Sequence, residues 1–264
     1  MDSTQILGYI GALVVGLVLG LIGGGGSILT VPLLVYLLGY NPVVATAYSL
    51  FVVGTTSLVG TIQKHKEGLV DFKTGLAFSF PSFIAVYLSR RYLVPNIPET
   101  IFSVSSFELT KDMGIMIFFA IIMCIASFSM IKNKKDKNNI SKNSQPYYKT
   151  FIQGLTIGTV TGVIGAGGGF LYVPALVLWA KIPMKKAVGT SLIIVTINSL
   201  IGFTGDMQTL NVEWEFLIIF TLISIAGIIL GVFLSKFISG HKLKKSFGYF
   251  VLFMATYIIY KELK

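Results

Sequence analysis

Two glycine runs set in apolar sequence are the residues of this chain best suited to chemistry. The first is Gly20-Leu21-Ile22-Gly23-Gly24-Gly25-Gly26-Ser27, and the second is Gly162-Val163-Ile164-Gly165-Ala166-Gly167-Gly168-Gly169. The chemistry they suit is non-covalent. Glycine has no side chain to hold a bound group off the backbone, so peptide N–H groups can close directly on an anion. Four glycines in a row also cannot sustain a helix, because each costs about 1 kcal/mol against alanine. Inside hydrocarbon, the backbone groups freed by such a break must find partners in protein or in a wet cavity. Two broken helices at matching places in two halves of a chain point to a transporter's binding site.

Hydroxyls and one side-chain amide form the second candidate set. After the first run come Thr46, Ser49, Thr55, Thr56 and Ser57; after the second come Thr190, Ser191, Thr196, Asn198 and Ser199. Hydroxyls donate to carboxylate or sulfonate oxygens without a permanent charge, which suits a carrier that must release what it binds. The competing reading is that serine and threonine in membrane helices bond the preceding turn or a neighbouring helix. Pro32 and Pro174 follow the glycine runs and suit the first turn of a helix. Each second arm is therefore expected to start near the glycines, with its free N–H groups and positive dipole end aimed at mid-membrane. The candidate anion-binding residues are Gly23, Gly24, Gly25, Gly26, Ser27 and Ser49 in the first half, and Gly165, Gly167, Gly168, Gly169, Thr190 and Ser191 in the second.

Other chemistries lack their residues. No Lys-Ser or Lys-Thr follows either glycine run, so a phosphate-cradling Walker site is absent. No His/Cys/acid cluster stands ready for metal or nucleophile chemistry. The single cysteine, Cys124, lies in an apolar run and reads as a buried inert thiol. Asp71 and Glu213 open corresponding segments, where an acid can cap a helix or relay a proton. No cofactor is expected, and the chain is not expected to be an enzyme.

The elements that must position these residues are membrane helices. The chain is 54% hydrophobic with only 12% charged residues, about half the charged share of a soluble domain. Its net charge of +10 would suggest nucleic acid in a soluble protein. Here the lysines crowd into connecting loops, which reads as membrane topology. Long apolar segments run over 6–38 (broken), 43–62, 72–94, 113–131, 151–180 (broken), 187–204, 214–238 and 247–260. The first twenty residues hold Asp2 but no Lys or Arg, which is not the pattern of a cleaved signal peptide.

The halves repeat. At an offset of 142, without a gap, Gly16, Gly20 and Gly23 meet Gly158, Gly162 and Gly165; Pro32 meets Pro174; Ser49 and Ser57 meet Ser191 and Ser199; and Asp71 meets Glu213. Register of glycines, prolines, serines and an acid over some sixty residues marks an internal duplication. Small-residue stripes (Ala12, Gly16, Gly20; Gly154, Gly158, Gly162; Gly227, Gly231) read as close helix packing.

If each broken segment crosses the membrane once, the 21 Lys and Arg residues split almost evenly between the two faces. If each is a hairpin that leaves on the face it entered, sixteen fall on one face, which the positive-inside rule prefers. The expected fold is an all-α integral membrane protein of two inverted repeats, each a Gly-broken, re-entrant helix hairpin plus three transmembrane helices. Residues 1–131 and 150–264 would be the repeats, and the Lys/Asn-rich stretch 132–149 a cytoplasmic linker.

Together these features resemble the sulfite exporter TauE/SafE family, also grouped with 4-toluene sulfonate uptake permeases. The resemblance covers nearly the whole chain. It rests on GLIGGGGSILTVPLL and GVIGAGGGFLYVPAL in duplicate, and on the ATAYSL and AVGTSL that follow them. It implies a secondary transporter, an exporter of sulfite or a related small organosulfur anion, in the plasma membrane of a prokaryote. The implied site is the pair of glycine breaks with the Ser49 and Ser191 helices. An anion channel, or a carrier of a different small anion, is the alternative. The expected partners are the anion, the lipid bilayer and, as one option, a second copy in a homodimer; no nucleic acid is expected.

Overall fold

A computed structural model describes residues 3–104, 107–132, 147–165, 168–207 and 210–262. The chain runs α1 (Ser3–Ile22), α2 (Gly25–Pro32), α3 (Pro42–Lys66), α4 (Phe72–Leu88), β1 (Thr100–Val104), β2 (Phe107–Thr110), α5 (Lys111–Lys132), α6 (Tyr147–Ile164), α7 (Gly169–Leu178), α8 (Met184–Asp206), α9 (Trp214–Ser235) and α10 (Gly240–Glu262). A π-helical turn extends α2 over Leu33–Leu37, and another extends α4 over Ser89–Leu93. Among the described residues, five helices are long and apolar enough to cross a membrane: α1, α3, α5, α8 and α9. The fold is thus an all-α membrane protein apart from one small hairpin. That hairpin pairs β1 with β2 antiparallel, in a stretch where no element was expected.

Local chemistry explains the helix starts. Asn41 accepts from the Val43 amide with Pro42 in the first turn, so α3 begins there. Asp71 accepts from the Thr74 amide at 3.2 Å and caps α4, the plainer of its two expected roles. Glu213 does not cap α9; its carboxylate takes a hydrogen bond from the Tyr40 hydroxyl at 2.9 Å. The prolines depart from expectation. Pro32 is the last residue of α2 and Pro174 the sixth of α7, so neither sits in a first turn. What starts each second arm is the release of the backbone at the glycines.

Helices pair through small residues. Gly16 and Gly20 of α1 lie on the backbone of α9 at Ser224 and Ile228, and Gly227 and Gly231 of α9 lie on Leu13 and Leu17. A β-carbon at any of the four would strike backbone, so the stripe sets the closeness of the pair. The Ser224 hydroxyl adds a bond to the Ala12 carbonyl at 3.0 Å. In the second half, Gly154, Gly158 and Gly162 of α6 lie on Phe78, Ser82 and Val86 of α4. The main apolar core joins residues of α1, α2, α3 and α4 with others of α5 to α10. Cys124 packs on its rim and is only partly buried, more open than expected.

The duplication recurs in the packing. Gly16 on Ser224 matches Gly158 on Ser82, and Gly20 on Ile228 matches Gly162 on Val86. Gly60 on Leu192 matches Gly202 on Leu50. Each residue differs from its counterpart by the same 142 positions seen in the sequence (Gly16 to Gly158). Most of the linker expected at 132–149 lies outside the described residues.

Candidate functional site

Both breaks begin the same way. Gly23 and Gly165 end α1 and α6 in the left-handed region, at φ of 78° and 68°. The Gly23 amide donates to the Leu19 carbonyl at 2.7 Å, and the Gly165 amide to the Thr161 carbonyl at 2.9 Å. These two amides therefore complete the preceding helices, and the free N–H groups expected at the breaks are left to the second arms. Gly168, again left-handed at φ 69°, turns the chain into α7, and its carbonyl accepts from the Leu171 and Tyr172 amides. Amides without an acceptor in their own helix belong to the first residues of α2 and α7, beginning at Gly25 and Gly169.

The two breaks meet. A β-carbon on Gly24 would collide with the carbonyl of Gly169, and one on Gly169 would stand 2.6 Å from the Gly24 Cα. Nothing larger than glycine fits at either position. Gly26 packs on Leu19, beside its own first arm. Ala166 and Gly167 lie outside the described residues; Gly25 and Ser27 fall within α2.

Each break is covered by a helix from the other half. Gly23 lies against α8, where a β-carbon would be 2.7 Å from the Val188 carbonyl and 2.8 Å from the Ser191 hydroxyl. Gly165 lies against Thr46 of α3 and the Arg90 guanidinium. Ser191 donates to the Gly23 carbonyl at 3.0 Å and to Val188 at 2.8 Å. Its counterpart Ser49 is fully buried on α3, and its hydroxyl has no hydrogen-bond partner among the described residues. Thr190 is not brought to the breaks. Its hydroxyl accepts from the Asp71 amide at 2.9 Å and its methyl faces Gly75, so it serves the start of α4.

Sequence reasoning singled out Asn198 but not its partners, and it did not assemble either of two groups. One is a buried polar cluster: Asn198 donates to Ser82 at 2.9 Å and to the Tyr172 hydroxyl at 2.6 Å, and Ser82 and Tyr172 bond each other. The counterparts 142 positions away behave differently. Thr30 bonds the Gly26 carbonyl within its own helix, and Ser224 bonds Phe220 and Ala12. The cluster thus has no equivalent at the matched positions, and Asn198 Oδ1 and Ser199 Oγ are buried without partners among the described residues.

The other group is an ion pair. Arg90, in the π-helical turn that ends α4, is 1% exposed. Its Nε lies 2.9 and 2.8 Å from the two carboxylate oxygens of Asp206, the last residue of α8, and Nη2 lies 2.7 Å from Oδ2. Nη1 donates to Thr46 at 3.1 Å. A charge inside an apolar segment is a functional candidate by default. Arg90 carried that signal in the sequence, within the apolar run 72–94. Its acid could not be identified there, because the two are 116 positions apart.

The model of the family described as sulfite exporter TauE/SafE matches residues 9–258. A "probable membrane transporter protein" of Xylella fastidiosa (strain 9a5c) is 29% identical over 260 residues, covering 94% of this chain and 92% of the relative. The "probable membrane transporter protein YunE" of Bacillus subtilis (strain 168) is 31% identical over 230 residues, 76% of this chain and 78% of that one. No solved structure matches. With a match from the first arm of the first break to the last helix, and relatives named as transporters along that length, this multi-pass membrane protein belongs to the sulfite exporter TauE/SafE family.

Proposed function

We propose that the protein is a secondary transporter that exports sulfite or a related small organosulfur anion by alternating access, with the anion bound where the two glycine breaks meet. The observation that carries this reading is the meeting of Gly24 with Gly169, each break being covered by a helix from the opposite half. Helix N-termini attract anions through unpaired amides and the aligned peptide dipoles. Two of them, at the starts of α2 and α7, border this crossing. Ser49 of the first half and the Ser82–Tyr172–Asn198 cluster, which joins both halves, add neutral polar groups. Gly24 and Gly169 fill each other's space, so the breaks must part for an anion to enter. Rocking of one repeat against the other supplies that movement.

The proposed scaffold is two inverted repeats, residues 1–131 and 150–264, joined by a cytoplasmic linker. Two sets of contacts support it. Gly8, Gly11 and Gly26 lie against Leu38, Leu33 and Leu19, the order expected of a chain returning alongside α1. Gly54 and Gly60 of α3 lie against Leu200 and Leu192 of α8, so these equivalent helices run in opposite directions. Thirty ångströms of hydrocarbon is about the length of a 20-residue helix, so α1 can reach deep before turning back.

The test is flux into proteoliposomes holding the purified chain. Counterflow of sulfite or sulfoacetate that saturates and is driven by a gradient is the expected result. Indifference to all sulfur oxyanions would remove the substrate, and large unitary currents would replace the carrier with a channel.

A further inference from the structure

We propose that Arg90 is the fixed cation that receives the transported anion at the second break, and that Asp206 is its resident counter-ion, displaced from the guanidinium when the anion binds. The inference rests on the reading of the breaks as an anion site and adds the charge that the glycine runs lack.

The geometry divides the guanidinium between two tasks. Nε and Nη2 face Asp206, while Nη1 turns to Thr46 and lies 3.0 Å from where a β-carbon on Gly165 would stand. The cation therefore bridges a carboxylate and the break itself, and joins α3, α4, α6 and α8 at one point. Taking both charges out of water is costly, and apolar residues of similar volume usually pack at least as stably. The first break illustrates this. The counterparts of Arg90 and Thr46 there are Val232 and Val188, and Gly23 packs on Val188 as Gly165 packs on Thr46. The counterpart of Asp206 is Lys64, which bonds Ser235 and Glu67 instead. The packing around a break does not require the pair, so the pair serves something present at the second break only.

The chemistry selects the ligand class. A guanidinium fork binds two oxygens of one planar or tetrahedral group. Sulfite, sulfonate and carboxylate all present two such oxygens, as Asp206 does. An incoming oxyanion can therefore take the place of the Asp206 carboxylate on the same donors. Competition between a tethered and a free anion keeps binding reversible, and one guanidinium is never left without a counter-charge.

The test uses the full chain in detergent, with thermal midpoints measured against sulfite, sulfoacetate and acetate, and flux in proteoliposomes. Asp206→Asn removes the competitor and should lower the half-saturating anion concentration at least tenfold. The double variant Arg90→Met, Asp206→Leu replaces the pair with apolar volume and should fold while losing the anion-induced shift. Arg90→Lys keeps the charge without the fork and should raise the KM of flux at least tenfold. If the double variant shifts with the same half-saturation as the natural chain, or Asp206→Asn binds no tighter, the proposal is overturned while the anion-site reading stands. If the natural chain itself neither shifts nor carries flux with any of these anions, that reading falls and the proposal falls with it.

Discussion

Ser191 donates its hydroxyl hydrogen to the carbonyl of Gly23, at 3.0 Å, across 168 positions of sequence. The duplicate of this residue, Ser49, is equally buried and makes no such bond among the described residues. One serine thus holds a break in place, and the other has no hydrogen-bond partner among the described residues. Two repeats with the same motif differ in what this serine bonds.

That asymmetry predicts different outcomes for the same substitution. Ser191→Ala should lose about 1 kcal/mol of stability, the usual net worth of a buried hydrogen bond, seen as a lower thermal midpoint in detergent. Ser49→Ala should leave the midpoint within about 0.5 kcal/mol of the natural chain but weaken anion binding several-fold. Equal loss of stability in both would show that Ser49 is structural.

Gly24→Ala should be severe. Its β-carbon would collide with the Gly169 carbonyl, so the two breaks must separate or the helices shift. Overpacking of this kind costs about 1–3 kcal/mol, and flux should fall to background. Gly68→Ala is the control. Nothing stands within 4 Å of its β-carbon, and its φ of 69° makes the cost one of backbone strain alone, about 1–2 kcal/mol. Flux should survive there. A Gly24→Ala chain that transports normally would remove the crossing from the mechanism.

The loop after α3 supplies a pH dependence. Glu67 accepts from Lys64 and Lys236, each at 3.1 Å. Burial alone would raise its carboxyl, but the hydrogen bonds and charges of Lys236 and Lys64 outweigh that and hold it below the ordinary range. A depressed carboxyl stabilises the fold above its unfolded value, near 4.3, and that contribution is lost as pH falls through the folded value. The thermal midpoint of the natural chain should therefore drop between about pH 5 and pH 3, and Glu67→Gln should flatten that limb. A parallel pair of curves would assign the network no role in acid stability.

Topology can be checked by labelling. In a Cys124→Ser background, Lys142→Cys should react with an impermeant maleimide only from the cytoplasmic side. Reaction from the outside would invert the proposed orientation of both repeats.

Much of the fold was legible because membrane helices announce themselves locally. Apolar length, lysine-rich connections and runs of glycine are properties of neighbouring residues, and a duplication needs only comparison of the chain with itself. The stripe at Gly16 and Gly20 implied a close partner because small residues have little other use on a lipid-bathed helix. The hairpin at 100–110 and the displaced prolines were not legible: neither follows from apolar length, and Pro174 is tolerated at the sixth position of α7 by its context. By itself, then, the sequence determined that this chain crosses a membrane, that it does so in two related halves, and that each half is interrupted at glycine. Only the tertiary structure decided that the breaks touch, that each is covered by a helix of the other half, that Thr190 faces away, and that Arg90 meets Asp206. Those are pairings between distant segments, set by which helix surfaces fit together, and no periodicity along one helix records the partner on another.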